Sequence, residues 1–201
     1  KYKSFWNYNT ASENFFKALK LNPENDAAFY ELAQISIIKK EDLNIAFEYA
    51  SKAAEISPNN IWYKQLQAEI MLEKKSYNVA AKIYENIIKI QPHNPEHLYE
   101  LARINLLMGD YNNAVKIYDK IEAIIGVTEA ISMQKQSIYI FLNKTQKAIN
   151  EIENLIKSFP DELKYQTMLG DLFIEIGNYN NAMKIFTQIK SDEPMQEEVD
   201  F

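Results

Sequence analysis

Cysteine is absent from the 201 residues. That removes disulfide frameworks, thiolate nucleophiles and cysteine-rich zinc sites, and it leaves the compartment open. Glycine occurs four times and proline six, too few turn formers for a many-stranded β protein, so an all-α chain is expected. So little glycine also argues against phosphate-cradling loops, and the patterns G-x-x-x-x-G-K-[ST], G-x-S-x-G and G-x-G-x-x-G are all missing. No apolar run approaches the roughly 18–20 residues that cross a bilayer, and no charged start followed by an apolar stretch resembles a signal peptide. Basic residues are outnumbered, 22 Lys and Arg against 28 Asp and Glu, for a net charge of -6 and a pI near 5.1. Nucleic-acid affinity comes largely from Lys and Arg releasing counterions, so a nucleic-acid partner is not expected.

What is present is a period. Pro23, Pro58, Pro92, Gly126, Pro160 and Pro194 follow one another at an interval of 35 and then four of 34 residues. Twelve positions upstream of each mark stands an alanine: Ala11, Ala46, Ala80, Ala114, Ala148 and Ala182. Eight upstream lie Phe15, Ala50, Tyr84, Tyr118, Ile152 and Phe186, and five upstream Ala18, Ala53, Ile87, Ile121, Leu155 and Ile189.

Within one period the spacing is helical. Tyr111, Ala114, Val115, Tyr118 and Ile121 follow the i, i+3, i+4, i+7 pattern of one helix face. Leu98, Leu101, Ala102 and Leu106 form a preceding face that opens at Pro95 and stops near Gly109. At the turn, Gly109-Asp110-Tyr111 and Gly177-Asn178-Tyr179 set a residue that tolerates a left-handed C-cap before an Asp or Asn able to cap the next helix. Each period is therefore a short antiparallel hairpin, too small to bury both faces alone, and its stability must come from stacking on its neighbours in a solenoid.

These residues resemble the tetratricopeptide repeat (TPR) family: Leu101-Ala102, Gly109-Asp110-Tyr111, Ala114, Tyr118 and Pro92 stand where that pattern wants them, and Leu169-Gly170, Phe173, Gly177, Tyr179, Ala182, Phe186 and Pro194 repeat it. The resemblance runs from about Tyr8 to Pro194 and implies a right-handed α-α superhelical solenoid of TPR helix pairs, acting as one domain over 1–201. A half-unit at 1–25 precedes units at about 26–60, 61–94, 95–128, 129–162 and 163–196, with a further helix starting at 197–201. Residues Met195 to Phe201 read as the opening of another unit, Phe5 and Trp6 as uncapped apolar surface, and the start at Lys1 as an internal one, so a longer parent protein is expected, and uncapped ends leave end-to-end self-association open.

Two departures stand out. The stretch from Leu32 to Leu43 is one residue longer than that from Leu101 to Tyr111, which a longer turn would absorb. In the fifth unit Lys135-Gln136 replaces the Leu101-Ala102 and Leu169-Gly170 pairs of its neighbours. Either Lys135 buries its stem and lets its amine reach water, or its helix is displaced.

In this family the first helix of each pair lines a concave groove that receives a peptide or a partner's helix, so the resemblance directs attention to Gln65 and Glu69, Tyr99 and Arg103, Met133 and Ser137, and Asp171. One turn further along lie Leu106, Leu107, Ile140 and Phe141. Leu107 and Phe141 occupy a register that holds Glu73 and Glu175 elsewhere, which marks either a binding patch or inter-unit packing. The Lys and Asn set by which some members grip a partner's C-terminal carboxylate is missing.

His93 and His97 have the four-residue spacing of a helical metal pair, but Pro95 falls between them, so no metal site is assigned. Carboxylate pairs such as Glu24/Asp26 and Glu151/Glu153 lack the apolar setting that separates acid from base roles. The expectation is a non-enzymatic scaffold that binds a protein or peptide and needs no cofactor. An accessory domain of an enzyme outside these residues, and an RNA-reading helical repeat, stand as alternatives.

Overall fold

The computed structural model describes residues 7–192; Phe5, Trp6, Pro194 and the Met195–Phe201 segment lie outside them. Among the described residues every regular element is an α-helix: α1 (Tyr8–Leu21), α2 (Asp26–Ile38), α3 (Leu43–Ile56), α4 (Ile61–Glu73), α5 (Tyr77–Ile90), α6 (Pro95–Leu107), α7 (Tyr111–Ile125), α8 (Glu129–Phe141), α9 (Thr145–Ser158), α10 (Leu163–Glu175) and α11 (Tyr179–Asp192). None of these is long and apolar enough to cross a membrane. The chain divides into two compact units, Lys1–Ile117 and Tyr118–Phe201.

The hairpin turns share one construction. Lys40, Lys75, Gly109, Asn143 and Gly177 each take a left-handed φ between 55° and 77°, and the residue after each donates its N–H to a carbonyl five positions back. The bonds Ser76 to Met71 at 2.8 Å, Asp110 to Asn105 at 2.9 Å, Lys144 to Tyr139 at 2.8 Å and Asn178 to Phe173 at 2.7 Å are all of this kind. This is the Schellman closure, which satisfies the orphan carbonyls at a helix end and reverses the chain. Asp110 and Asn178 then accept from the amides of Asn113 and Asn181. In the α2–α3 turn the extra residue is taken up after Lys40, and Asp42 moves into the capping place, accepting from the Asn44 amide at 2.8 Å. Between hairpins the next helix is started by asparagine: Asn25, Asn60 and Asn94 accept from Ala28, Trp62 and Glu96.

Side-chain size explains the stacking in each unit. Ala46, Ala80 and Ala114 in the first unit and Ala148 in the second are fully buried, and Ala182 nearly so; with only a methyl group, these positions let helix backbones come close. Five residues before each mark, Ile87, Ile121 and Leu155 are sealed from solvent, each contributing about 1.5–3 kcal/mol of apolar burial. Packed helix pairs are consecutive in the chain: α2 with α3, α3 with α4, α4 with α5 and α5 with α6 in the first unit, and α8 with α9, α9 with α10 and α10 with α11 in the second. First helices of successive hairpins also meet, the rings of Tyr30 and Tyr63 at 5.1 Å in one unit, and Lys164 and Tyr165 on the Glu129 carboxylate at 2.8 and 3.1 Å in the other.

Lys135 departs from the expectation that its amine reaches water. Only 6 % of its side chain is exposed, and Nζ lies 2.8 Å from Asp119, 2.9 Å from Glu122 and 3.1 Å from Glu151. Its helix α8 runs unbroken over 13 residues, the length of α4, α6 and α10. The lysine is accommodated by carboxylates from the helices on either side.

Candidate functional site

Residues that a helix pair cannot bury are left facing outward on α4 and α6, the first helices of two successive hairpins. In the first unit they enclose, with α5, a cavity of about 530 Å³ lined by Gln65, Glu69, Leu72, Tyr84, Glu96, His97, Tyr99, Glu100 and Arg103. Four of the eleven expected groove residues, Gln65, Glu69, Tyr99 and Arg103, thus meet in one place. Positions 65 and 69, and likewise 99 and 103, are one helical turn apart and share a face.

The cavity is acidic. Glu69, Glu96 and Glu100 are set against one cation, Arg103, whose Nε and Nη2 both donate to the same Glu100 oxygen at 2.9 and 2.6 Å. Glu69 has no such partner among the described residues. It is open to water along the groove, yet walls of protein reduce its solvation, and with the Glu100 charge nearby they push its carboxyl above the usual range. On the cavity floor Tyr84 is 96 % buried, with 4 % of its surface exposed, and its hydroxyl has no hydrogen-bond partner among the described residues. Burial first, then the charges of Glu100 and Glu69, drive the phenol up to about 12, so it stays protonated. His97 is buried and turned to Gln91, with Nε2 3.0 Å from the amide oxygen, and burial holds its ring below the ordinary imidazole range.

Leu106 is half-buried, and Leu107, 48 % exposed, faces away from this cavity into a separate depression beside Lys75, Tyr77, Val79 and Met108. Arg103 and Leu107 are one turn apart, but Leu107 is the last helical residue and sits over the hairpin turns.

The other five expected residues belong to the second unit. Met133 and Asp171 come together there in a depression of about 290 Å³ with Gln136, Ile152, Met168, Leu172 and Glu175. Ser137 is exposed, Ile140 half-buried, and Phe141 is 65 % exposed; none of the three lines that depression.

Sequence reasoning missed Tyr84 and Glu100 as groove residues. Tyr84 belongs to the buried stripe of the second helices, but where Ala50 and Ile152 are apolar throughout, a tyrosine carries a polar tip that must emerge somewhere. That tip was the available signal. Among the described residues no three His, Asp or Glu side chains converge as metal ligands.

A family model described as "Anaphase-promoting complex, cyclosome, subunit 3" matches residues 73–155, and a tetratricopeptide repeat model matches residues 163–191. No curated protein matches in sequence. Solved structures match in fold. MamA from Desulfovibrio magneticus RS-1 is 16% identical with a TM-score of 0.56, over 86% of this chain and 97% of that one. YrrB, described as a TPR protein with an unusual peptide-binding site, is 15% identical with a TM-score of 0.56, over 90% and 95%. A tetratricopeptide repeat protein from Parabacteroides merdae ATCC 43184 is 19% identical with a TM-score of 0.60, over 93% and 74%. Repeat period, hairpin turns and helix packing within each unit agree with these matches: the fold is an all-α solenoid of tetratricopeptide repeat type, and residues 163–191 match that family's own model.

Proposed function

We propose that the cavity formed by α4, α5 and α6 binds an extended segment or short helix of a partner protein, the chain acting as an interaction scaffold. One observation carries the reading: Gln65, Glu69, Tyr99 and Arg103, which no hairpin needs for its own packing, converge on one cavity. Tyr99 is 37 % exposed and offers an aromatic anchor, while Glu69 and Arg103 supply direction and specificity. Asp171 and Met133 offer a second, smaller contact in the other unit. YrrB, a structural neighbour, is described as carrying a peptide-binding site, which supports a peptide as the ligand class. The acidic lining opposes a phosphate-bearing partner, and no catalytic step is assigned to the site.

Selection of a displayed dodecapeptide library on the whole chain tests this. Saturable binders are expected, and Tyr99→Ala with Gln65→Ala should abolish their binding at unchanged helicity. Binders indifferent to both substitutions, or RNA retained in a salt-sensitive gel shift where peptides are not, would overturn the reading.

A further inference from the structure

Glu69 is a carboxylate in a protein-walled groove with neither an ion pair nor a hydrogen bond among the described residues, although Arg103 stands on the next hairpin's first helix. Arg103 is already held by Glu100 through both Nε and Nη2 on a single oxygen. The second Glu100 oxygen accepts from no donor among the described residues. Below them Tyr84, a side chain 4 % exposed, lines the same cavity, its hydroxyl without a hydrogen-bond partner among the described residues. Three acceptors are thus left open where three carboxylates outnumber one guanidinium. A carboxylate beside a like charge is disfavoured. Water can reach such groups, but a fixed cation satisfies all of them at once.

We propose that this groove recognises a basic side chain, Lys or Arg, of an extended partner segment, held between Glu69 and the open oxygen of Glu100 with a further bond to the Tyr84 hydroxyl. The inference rests on the peptide-binding reading and specifies its chemistry. A cationic side chain donates only, and the three groups offer it lone pairs; the Tyr84 proton stays in place, so its oxygen accepts. Tyr99, at the edge of the cavity, suits the alkyl stem or the face of a guanidinium. An acidic or phosphorylated segment would meet a surplus of carboxylates, with the one guanidinium already engaged.

The dodecapeptides selected on the whole chain supply the probe. Expected is enrichment of Lys or Arg at one position, and a fluorescein-labelled consensus peptide whose affinity, read by anisotropy, falls about tenfold or more when that residue becomes Gln, the scale of a charge-assisted hydrogen bond. Glu69→Gln should give a similar loss, and Glu69→Lys paired with a Glu-bearing peptide should recover part of it. Tyr84→Phe should weaken binding about threefold with an unchanged melting curve, since the hydroxyl supports nothing within the fold. A structural role for that hydroxyl would instead lower the melting temperature, which opposes the proposal. Selected peptides that need Tyr99 and Gln65 but show no basic position, or that ignore Glu69→Gln, overturn this inference and leave the groove reading standing. A library that yields no saturable binder overturns both.

Discussion

Replacing Lys135 with Leu, the residue found at 101 and 169, should destabilise the second unit although it moves the sequence toward the repeat. Lys135 and Glu151 are 6 % and 8 % exposed and Glu122 16 %, while Asp119 is 55 % exposed and close to water. Removing one member of a buried ion pair costs about 3–5 kcal/mol, whereas an exposed partner such as Asp119 adds less than about 1 kcal/mol. The loss should fall near the lower end of the first range, because Glu151, whose carboxyl burial already pushes upward despite the lysine, can escape by taking a proton. Its folded pKa then lies further above the unfolded value near 4.5, so the defect is greatest at neutral pH and shrinks as pH falls toward 4.5. The triple change Lys135→Leu, Glu122→Ile and Glu151→Ile supplies the residues of neighbouring units at these registers, Ile88 and Ile156 for Glu122 and Ile117 and Ile185 for Glu151. Buried ion clusters replaced by apolar side chains are commonly neutral to about 4 kcal/mol more stable. Urea unfolding by circular dichroism at pH 7 and 5, with amide hydrogen exchange in α8 and α9 to localise the change, measures both variants. A single variant within about 0.5 kcal/mol of wild type, an ordinary surface effect, or a triple variant worse than the single one, would rule out a compensated buried ion cluster.

Lys75→Gly should stabilise by about 0.5–1 kcal/mol in thermal or urea unfolding, because Lys75 holds a φ of 57° that costs a non-glycine residue about 1–2 kcal/mol, against a smaller entropic cost for glycine. Gly170→Ala should cost about 1 kcal/mol net: a Cβ there would stand 2.5 Å from the end of the Phe186 ring, and overpacking of about 1–3 kcal/mol outweighs a helix-propensity gain of about 1 kcal/mol; a more stable variant would mean that the ring swings aside freely. His97 is held neutral by burial, so its folded pKa lies below the unfolded value of 6.5; its stabilisation is complete above that value and is lost as pH falls toward the folded pKa. The stability difference between wild type and His97→Gln should therefore shrink between pH 7 and 5, and a constant difference would contradict it.

The alanine register shows how far the sequence reaches. One small residue per period, twelve before each proline, requires close helix approach and little else, and Ala46, Ala80, Ala114 and Ala148 are sealed. Lys135 was harder to place because its neighbours in space come from other registers. Taken alone, a lysine among leucines suggests a snorkelling stem. Set beside the simultaneous appearance of Glu122 and Glu151 where the neighbouring units have Ile88 and Ile156, and Ile117 and Ile185, it reads as one compensated cluster. Gln67 shows the same relation on a smaller scale: it shares the Lys135 register and reaches Ser51, sixteen positions back, at 3.1 Å, as Lys135 reaches Asp119. Leu107 and Phe141 share a register with Glu73 and Glu175 and are exposed, yet periodicity could not say that Leu107 turns to the Lys75–Val79 turn rather than to Arg103. Nor could it separate Glu69, without a partner among the described residues, from Glu100, tied to Arg103, since both are glutamates on groove-facing helices.

Amide chemical-shift mapping of the isotope-labelled chain with a library-selected peptide locates the binding surface residue by residue. Saturable shifts should concentrate at Gln65, Glu69, Tyr84, Tyr99 and Arg103. Shifts confined to the outward faces of α3 and α5, around Lys52, Glu55, Lys82 and Glu85, with the cavity residues unmoved, would contradict binding in the cavity.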